Sequence, residues 1–190
     1  MDKGDTVNLS SLTLSPHGAT HMDAPLHFTP DGAGMDEIPL RHFIGPCLVL
    51  DIFETCTEGC GSVPLKRELM EQTLATCAGK DDILPRILFK TGYTPGRTFN
   101  PLFSPFTGGA IRALAERGVK LIGTDAPSID AYSSTDLPAH RACADAGICI
   151  LEHLELSGVT PGPYRLHAAP LKIDGAEGAP VRAVLLPVEG

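Results

Sequence analysis

DLPAHRACADAGICILE, residues 136–152, carries helix punctuation and strand punctuation within one short stretch. Asp136 stands where a helix N-cap belongs, and Gly147 sits at the stop position. The apolar run Ile148–Leu151 follows at once and reads as a strand that ends on a carboxylate, Glu152. The segment 107–123, TGGAIRALAERGVKLIG, repeats the design, with Thr107 as cap, Gly118 as stop and VKLIG as strand. Helices that hand directly to strands in this way predict an α/β domain.

Further out, PLKRELMEQTLATC (64–77) places Leu65, Leu69 and Leu74 near one helical face, and PCLVLDIF (46–53) and ILFK (87–90) read as strands. VNLSSLTL (7–14) also reads as a strand, its alternation slipping at Ser10 and Ser11 as at a bulge. YRLHAAPLKI and PVRAVLLP, joined by DGAEGA, predict an antiparallel hairpin, so the sheet is expected to be mixed. The Gly- and Pro-rich segment 91–106 is longer than passive connections usually are, and reads as a binding loop or lid, or as a partly disordered stretch. No low-complexity linker divides the 190 residues, and one domain spanning 1–190 is expected.

Composition removes several classes of function. With 43% hydrophobic and 20% charged residues the chain has the makeup of a folded globular protein. A formal net charge of −8 and the lack of any basic run argue against a nucleic-acid partner. Runs such as CLVL, ICIL and AVLL fall short of the ~20 residues that span a bilayer. MDKGDTVN has no signal-peptide character, so a cytoplasmic protein with no membrane partner is expected. Cys47, Cys56, Cys60, Cys77, Cys143 and Cys149 lack CxxC spacing and read as reduced, mostly buried thiols. Cys60, in EGCGS, is the nearest approach to a nucleophile turn, and a Cys–His hydrolase is the weakest reading.

The chemistry concentrates in SPHGATHMDAPLHF, residues 15–28, where His17, His21, Asp23 and His27 fall within eleven positions. Pro16, Gly18 and Pro25 point to a turn followed by extended chain, so these donors converge through a loop. In extended chain His21 and Asp23 face the same side. Imidazole nitrogen and carboxylate oxygen are donors that Zn²⁺, Mn²⁺ and Fe²⁺ accept, and two histidines with one carboxylate leave positions open for water and substrate. Such an ion lowers the pKa of water toward ~7 and polarises a carbonyl, the two effects that amide, imide or ester hydrolysis needs. The alternative is that these histidines cap turns within a polar loop. Of the more distant groups, His140 and Glu152 rank above His42, His153 and His167 as further ligands, because Glu152 closes an apolar strand where α/β sheets place their chemistry.

HGATHMDAPLHF, GTDAPSID, DLPAHRACADAGICILE and APLKIDGAEGAPVRAVLL together resemble the metal-dependent cyclase/hydrolase family of kynurenine formamidase type. The resemblance implies a swivelling β/β/α fold with flanking helices, a homodimer or homotetramer, and a centre of one or two ions, Zn²⁺ first and Mn²⁺ second. It implies that His17 and His21 bind the first ion, Asp23 binds or bridges both, His140 binds the second, Glu152 bridges, and His27 transfers the proton. It also implies a small-molecule substrate, N-formylkynurenine, cleaved to kynurenine and formate. An isatin-type cyclic amide, a lactone or ester, or a cyclisation is the alternative within the family. Ala19 stands where the family's usual glycine precedes Thr-His, with Gly18 one place earlier. The chain begins sixteen residues before His17 and contains no tryptophan, so the family's N-terminal strand with its substrate-contacting aromatic residue is expected to be lacking, and the pocket wall that selects an aryl substrate to be missing, altered or supplied by a neighbouring subunit. A non-catalytic metal-binding relative is therefore a third reading.

Overall fold

The computed structural model describes residues 4, 6–56, 63–77, 84–96 and 98–188. Its strands are β1 (His21–Asp23), β2 (Ile44–Asp51), β3 (Arg86–Lys90), β4 (Leu121–Thr124), β5 (Cys149–Glu152), β6 (Gly162–His167), β7 (Gly178–Pro180) and β8 (Val184–Pro187). The helices are α1 (Phe53–Cys56), α2 (Arg67–Cys77), α3 (Gly108–Glu116) and α4 (Pro138–Ala146). One sheet holds all eight strands in the order β7-β1-β5-β4-β3-β2-β6-β8. Strands β2 to β5 are mutually parallel, linked by crossovers that contain α2, α3 and α4, while β1, β7, β6 and β8 add antiparallel pairs at the two sides. The outermost strands β7 and β8 are joined through residues 181–183 alone, which requires the sheet to curl until its two edges approach.

Period-two alternation divides the buried residues between the two faces. Ile87, Phe89, Ile122 and Ile150 pack outward against Met70, Leu74, Ile111, Leu114 and Cys143 of the helices. Val49, Leu88, Leu121, Leu151, Leu166 and Ala179 fill the concave side. With both faces covered, the central parallel strands read as nearly unbroken apolar runs, as LIG and CIL do here. The fold is therefore the mixed α/β architecture expected.

Thr107 caps α3 as expected, its Oγ1 accepting from Ala110 N at 3.2 Å, and Gly147 closes α4 at φ 63°. Asp136 does not cap α4. Leu137 occupies that position in the left-handed region, φ 46°, and the free helical N–H groups of Ala139 and His140 are taken instead by Asp130, at 3.0 Å each. A left-handed Leu is costly, and a second carboxylate from outside the helix compensates it.

Residues 7–14 form no strand: Val7, Leu9, Leu12 and Leu14 are 55%, 90%, 87% and 55% exposed, and no other strand of the described chain offers them a ladder. The C-terminal expectation is half met. β6 and β8 pair antiparallel from Tyr164↔Pro187 to His167↔Val184. DGAEGA, however, is no hairpin turn, because the chain between them crosses to the far side of the sheet and pairs β7 with β1. Segment 91–106 has no helix or strand among its described residues. Its start is tied to Asp125, which accepts from Thr91 N and Gly92 N, each at 3.0 Å through Oδ2. Cys47 and Cys143 are buried free thiols and Cys149 is half-buried, while Cys60 lies outside the described residues. No helix among the described residues is long and apolar enough to cross a membrane.

Candidate metal centre

A turn closed by Gly18 N donating to Ser15 O delivers His17, and the chain then enters β1. Met22 points into the concave core, which sends its neighbours His21 and Asp23 to the opposite, helix-covered face. Antiparallel pairing of β1 with β5 sets His21 directly across from Glu152 on that face. The first turn of α4 brings His140 over the pair. His21, Asp23, His140 and Glu152 are 2%, 3%, 3% and 3% exposed.

Asp23 is the shared member of two overlapping triads, His17–His21–Asp23 and Asp23–His140–Glu152, whose donor atoms lie within 4.8 Å of one another in each. One oxygen, Oδ1, is 2.9 Å from His17 Nδ1 and 3.2 Å from His21 Nε2. The other, Oδ2, is 3.3 Å from His140 Nε2. Glu152 closes the second triad, with Oε1 3.6 Å from His140 Nε2 and Oε2 3.5 Å from His21 Nε2.

The supporting contacts fix which nitrogen faces inward. A carbonyl can only accept, so His21 Nδ1–H donates to Ala19 O at 2.6 Å and leaves the Nε2 lone pair for the centre. His140 Nδ1 meets Asp130 Oδ2 at 2.7 Å, with the same result for its Nε2. Glu152 Oε1 accepts from Ile129 N at 2.8 Å.

Burial alone pushes the Asp23 carboxyl up, but hydrogen bonds from His140, His17 and His21 outweigh it and hold Asp23 well below the usual carboxylate range. Glu152 moves the other way, driven well up by burial and then by the charge of Asp23. For His140 burial favours the neutral ring, yet Asp130 and Asp23 together raise it to about 10. Two buried carboxylates side by side and three imidazole nitrogens aimed between them are a donor set that a divalent cation fits, since the cation supplies the positive charge that Glu152 lacks.

His27 belongs to neither triad. Its ring stacks on His17 at a centroid distance of 4.0 Å and lies 6.4 Å from His140. Burial lowers its pKa, with Asp23 offsetting part of the effect, which favours a neutral imidazole able to accept a proton. The structure thus brings His17, His21, Asp23, His140 and Glu152 together with His27 beside them. His42, His153 and His167 stand in neither triad. Asp130, the partner of His140 Nδ1, is a residue the sequence does not single out. The signal for it is weak: an aspartate ten positions before His140, in a stretch whose expected cap residue is not the one used.

Curled mixed sheet, helices on its convex face and a buried histidine–carboxylate cluster between β1, β5 and α4 define a class: an α/β protein with a centre suited to one or two divalent ions. The chain belongs to the Cyclase family (“Putative cyclase”), whose profile matches residues 3–131, including the 17–27 cluster and Asp130. A kynurenine formamidase from Salinibacter ruber is 45% identical over 182 residues, which span 95% of this chain and 80% of that protein. Among solved structures, a potential metal-dependent hydrolase with cyclase activity is 31% identical with a TM-score of 0.77, over 91% of this chain and 80% of that one. Isatin hydrolase A from Labrenzia aggregata, bound to benzyl benzoate, is 30% identical with a TM-score of 0.73, over 91% and 74%.

Proposed function

We propose that this protein is a divalent-metal-dependent amide hydrolase that releases formate from N-formylkynurenine. The observation that carries the reading is the convergence on Asp23 of donors from two remote parts of the chain. The 45% identity to a kynurenine formamidase supports the substrate. A cavity of about 210 Å³ beside the centre suits an aryl ring, being walled by Phe28, Ile38, Cys143, Ile148 and Ile150 and reaching Asp23.

His17, His21 and Asp23 would hold one ion, and Asp23, His140 and Glu152 a second, with Zn²⁺ or Mn²⁺ the cations these donors favour. Such ions supply Lewis acidity, polarising the formyl carbonyl and bringing water's pKa toward neutrality. His27 takes the proton of the attacking water and returns it to the anilide nitrogen as the C–N bond breaks, leaving formate and the free aryl amine. Ala19 and Asp130 keep the imidazole faces toward the centre throughout. The apolar side chains at 7–14 support a homo-oligomer, dimer or tetramer, in which a second copy covers them.

Protein loaded with Zn²⁺ or Mn²⁺ should release formate from N-formylkynurenine, and a chelator should stop it. Loaded protein that turns over no formamide would refute the substrate. The 30% identity to an isatin hydrolase favours a second reading, ring opening of a cyclic amide, and parallel assays on the two substrates separate them.

A further inference from the structure

Each imidazole of the centre has one nitrogen turned inward and one turned out, and the outward nitrogens differ. Those of His21 and His140 are held by Ala19 O and Asp130 Oδ2. Nε2 of His17 is buried and has no hydrogen-bond partner among the described residues. An unpaired buried ring nitrogen is costly, and at a would-be metal ligand it also leaves the ring's tautomer and angle unset.

The surroundings of that nitrogen are built by DGAEGAP, the segment that makes no hairpin. Glu177 O accepts from Ala24 N at 2.9 Å, Ala176 O accepts from Met35 N at 2.8 Å, and Gly175 N donates to Asp36 Oδ1 at 2.9 Å, so the backbone here is pinned from three sides. Gly178 then pairs with Asp23 in β7. A Cβ on Gly178 would stand 2.7 Å from His17 Cε1, 3.0 Å from Nε2 and 3.1 Å from Met22 O, so the His17 ring lies against bare backbone. From the adjacent position Glu177 brings Oε1 to 3.8 Å from His17 Nε2, with its side chain 45% exposed.

We propose that Glu177 and Gly178 form the cradle of His17. Gly178 lets the imidazole reach Asp23 through Nδ1, and Glu177 is the positioning residue that accepts Nε2–H once Nδ1 coordinates. The inference rests on the metal-centre reading above and adds to it an outer carboxylate that completes the set begun by Ala19 and Asp130. It also explains why the chain carries β7 across the sheet: that crossing is what delivers Glu177 and Gly178 to the rim of the centre.

The test uses the full chain with Mn²⁺ as the probe, comparing wild type with Glu177→Ala, Glu177→Gln and Gly178→Ala by calorimetric titration, and following the histidine ¹⁵N resonances with Zn²⁺ bound. Glu177→Ala should weaken the ion held by His17, His21 and Asp23 about 10- to 100-fold, the usual cost of losing an outer partner, and leave the other ion unchanged. Glu177→Gln, which still accepts a hydrogen bond, should recover part of the loss. Gly178→Ala should weaken the same ion by displacing the ring. In wild type, His17 should coordinate through Nδ1 and carry its proton on Nε2. Equal Mn²⁺ affinity in wild type and Glu177→Ala, or coordination of His17 through Nε2, would overturn the cradle while leaving the metal centre standing. A wild-type protein that takes up no ion would overturn both.

Discussion

His17, His21 and Asp23 come from seven consecutive residues, whereas His140 and Glu152 are delivered by a helix and a strand more than a hundred residues downstream. The two halves meet at one carboxylate but are held differently. His140 and Glu152 are buried and braced by Asp130, which also caps α4, and by Ile129 N. His17, with its side chain 21% exposed, sits on a turn at the rim with its outer nitrogen unpaired. The downstream half, with His21 and Asp23 on the buried strand β1, is part of the core, and His17 sits on the turn at its edge. Damage to the buried members should therefore reach folding, and damage to His17 should stay within metal binding and catalysis.

The largest effect belongs to the group common to both. Asp23→Asn should bring metal content and formate release down to background, measured by elemental analysis and by assay, since both triads lose their shared oxygen. Retention of both ions would show that the halves do not depend on one carboxylate. Next comes His27, which stands outside the triads. His27→Ala should lower kcat by about 10²- to 10⁴-fold with metal content intact. Because burial lowers the His27 pKa, the acid limb of the wild-type profile should fall below the ordinary histidine value of about 6.5 and vanish in the variant.

Asp130→Ala sharpens the contrast between the halves. It removes a charged cap from α4 and the partner of His140 Nδ1, so it should cost about 1–2 kcal/mol in denaturant unfolding as well as weaken ion binding. Substitution of His17, by contrast, should weaken the ion with little change in unfolding midpoint. A smaller effect follows from protonation. Without an ion His140 has its pKa raised to about 10, so at pH 8 it is charged and an entering cation must displace that proton. Ion affinity should therefore rise with pH and level off near pH 10, and titrations at pH 8 in buffers of different ionisation enthalpy should report proton release. The smallest expected effect is that of a thiol alkylator, which should leave activity unchanged. Burial pushes Cys47 to about 12, and burial followed by little opposing influence puts Cys149 at about 11, so neither offers a thiolate at neutral pH.

The same division governs what could be read from the sequence. Helices α3 and α4, their glycine stops, the Thr107 cap of α3 and the strands after them are legible because these signals are local. His17, His21, Asp23 and His27 are legible because they crowd into eleven positions, although His21 and Asp23 lie on strand β1 rather than on a loop, through pairing with β5 and β7 that the local sequence does not show. Residues 7–14 have strand-like alternation, but a strand needs a partner, and pairing is not a local property. Asp136 looks like the cap of α4 and loses to Asp130, because the left-handed turn at Leu137 points the helix start toward a different loop. DGAEGA looks like a hairpin turn, and only the curl of the sheet, which brings β7 beside β1, reveals it as a crossing that serves the centre.

The two halves of the centre should close around cations. Crystals grown with Zn²⁺ and measured on both sides of its absorption edge test this most directly. Anomalous density is expected between Asp23 and the imidazoles of His17 and His21, or between Asp23, His140 and Glu152, or at both places. Density confined to other surfaces of the molecule, with these five side chains uncoordinated in fully loaded protein, would contradict it.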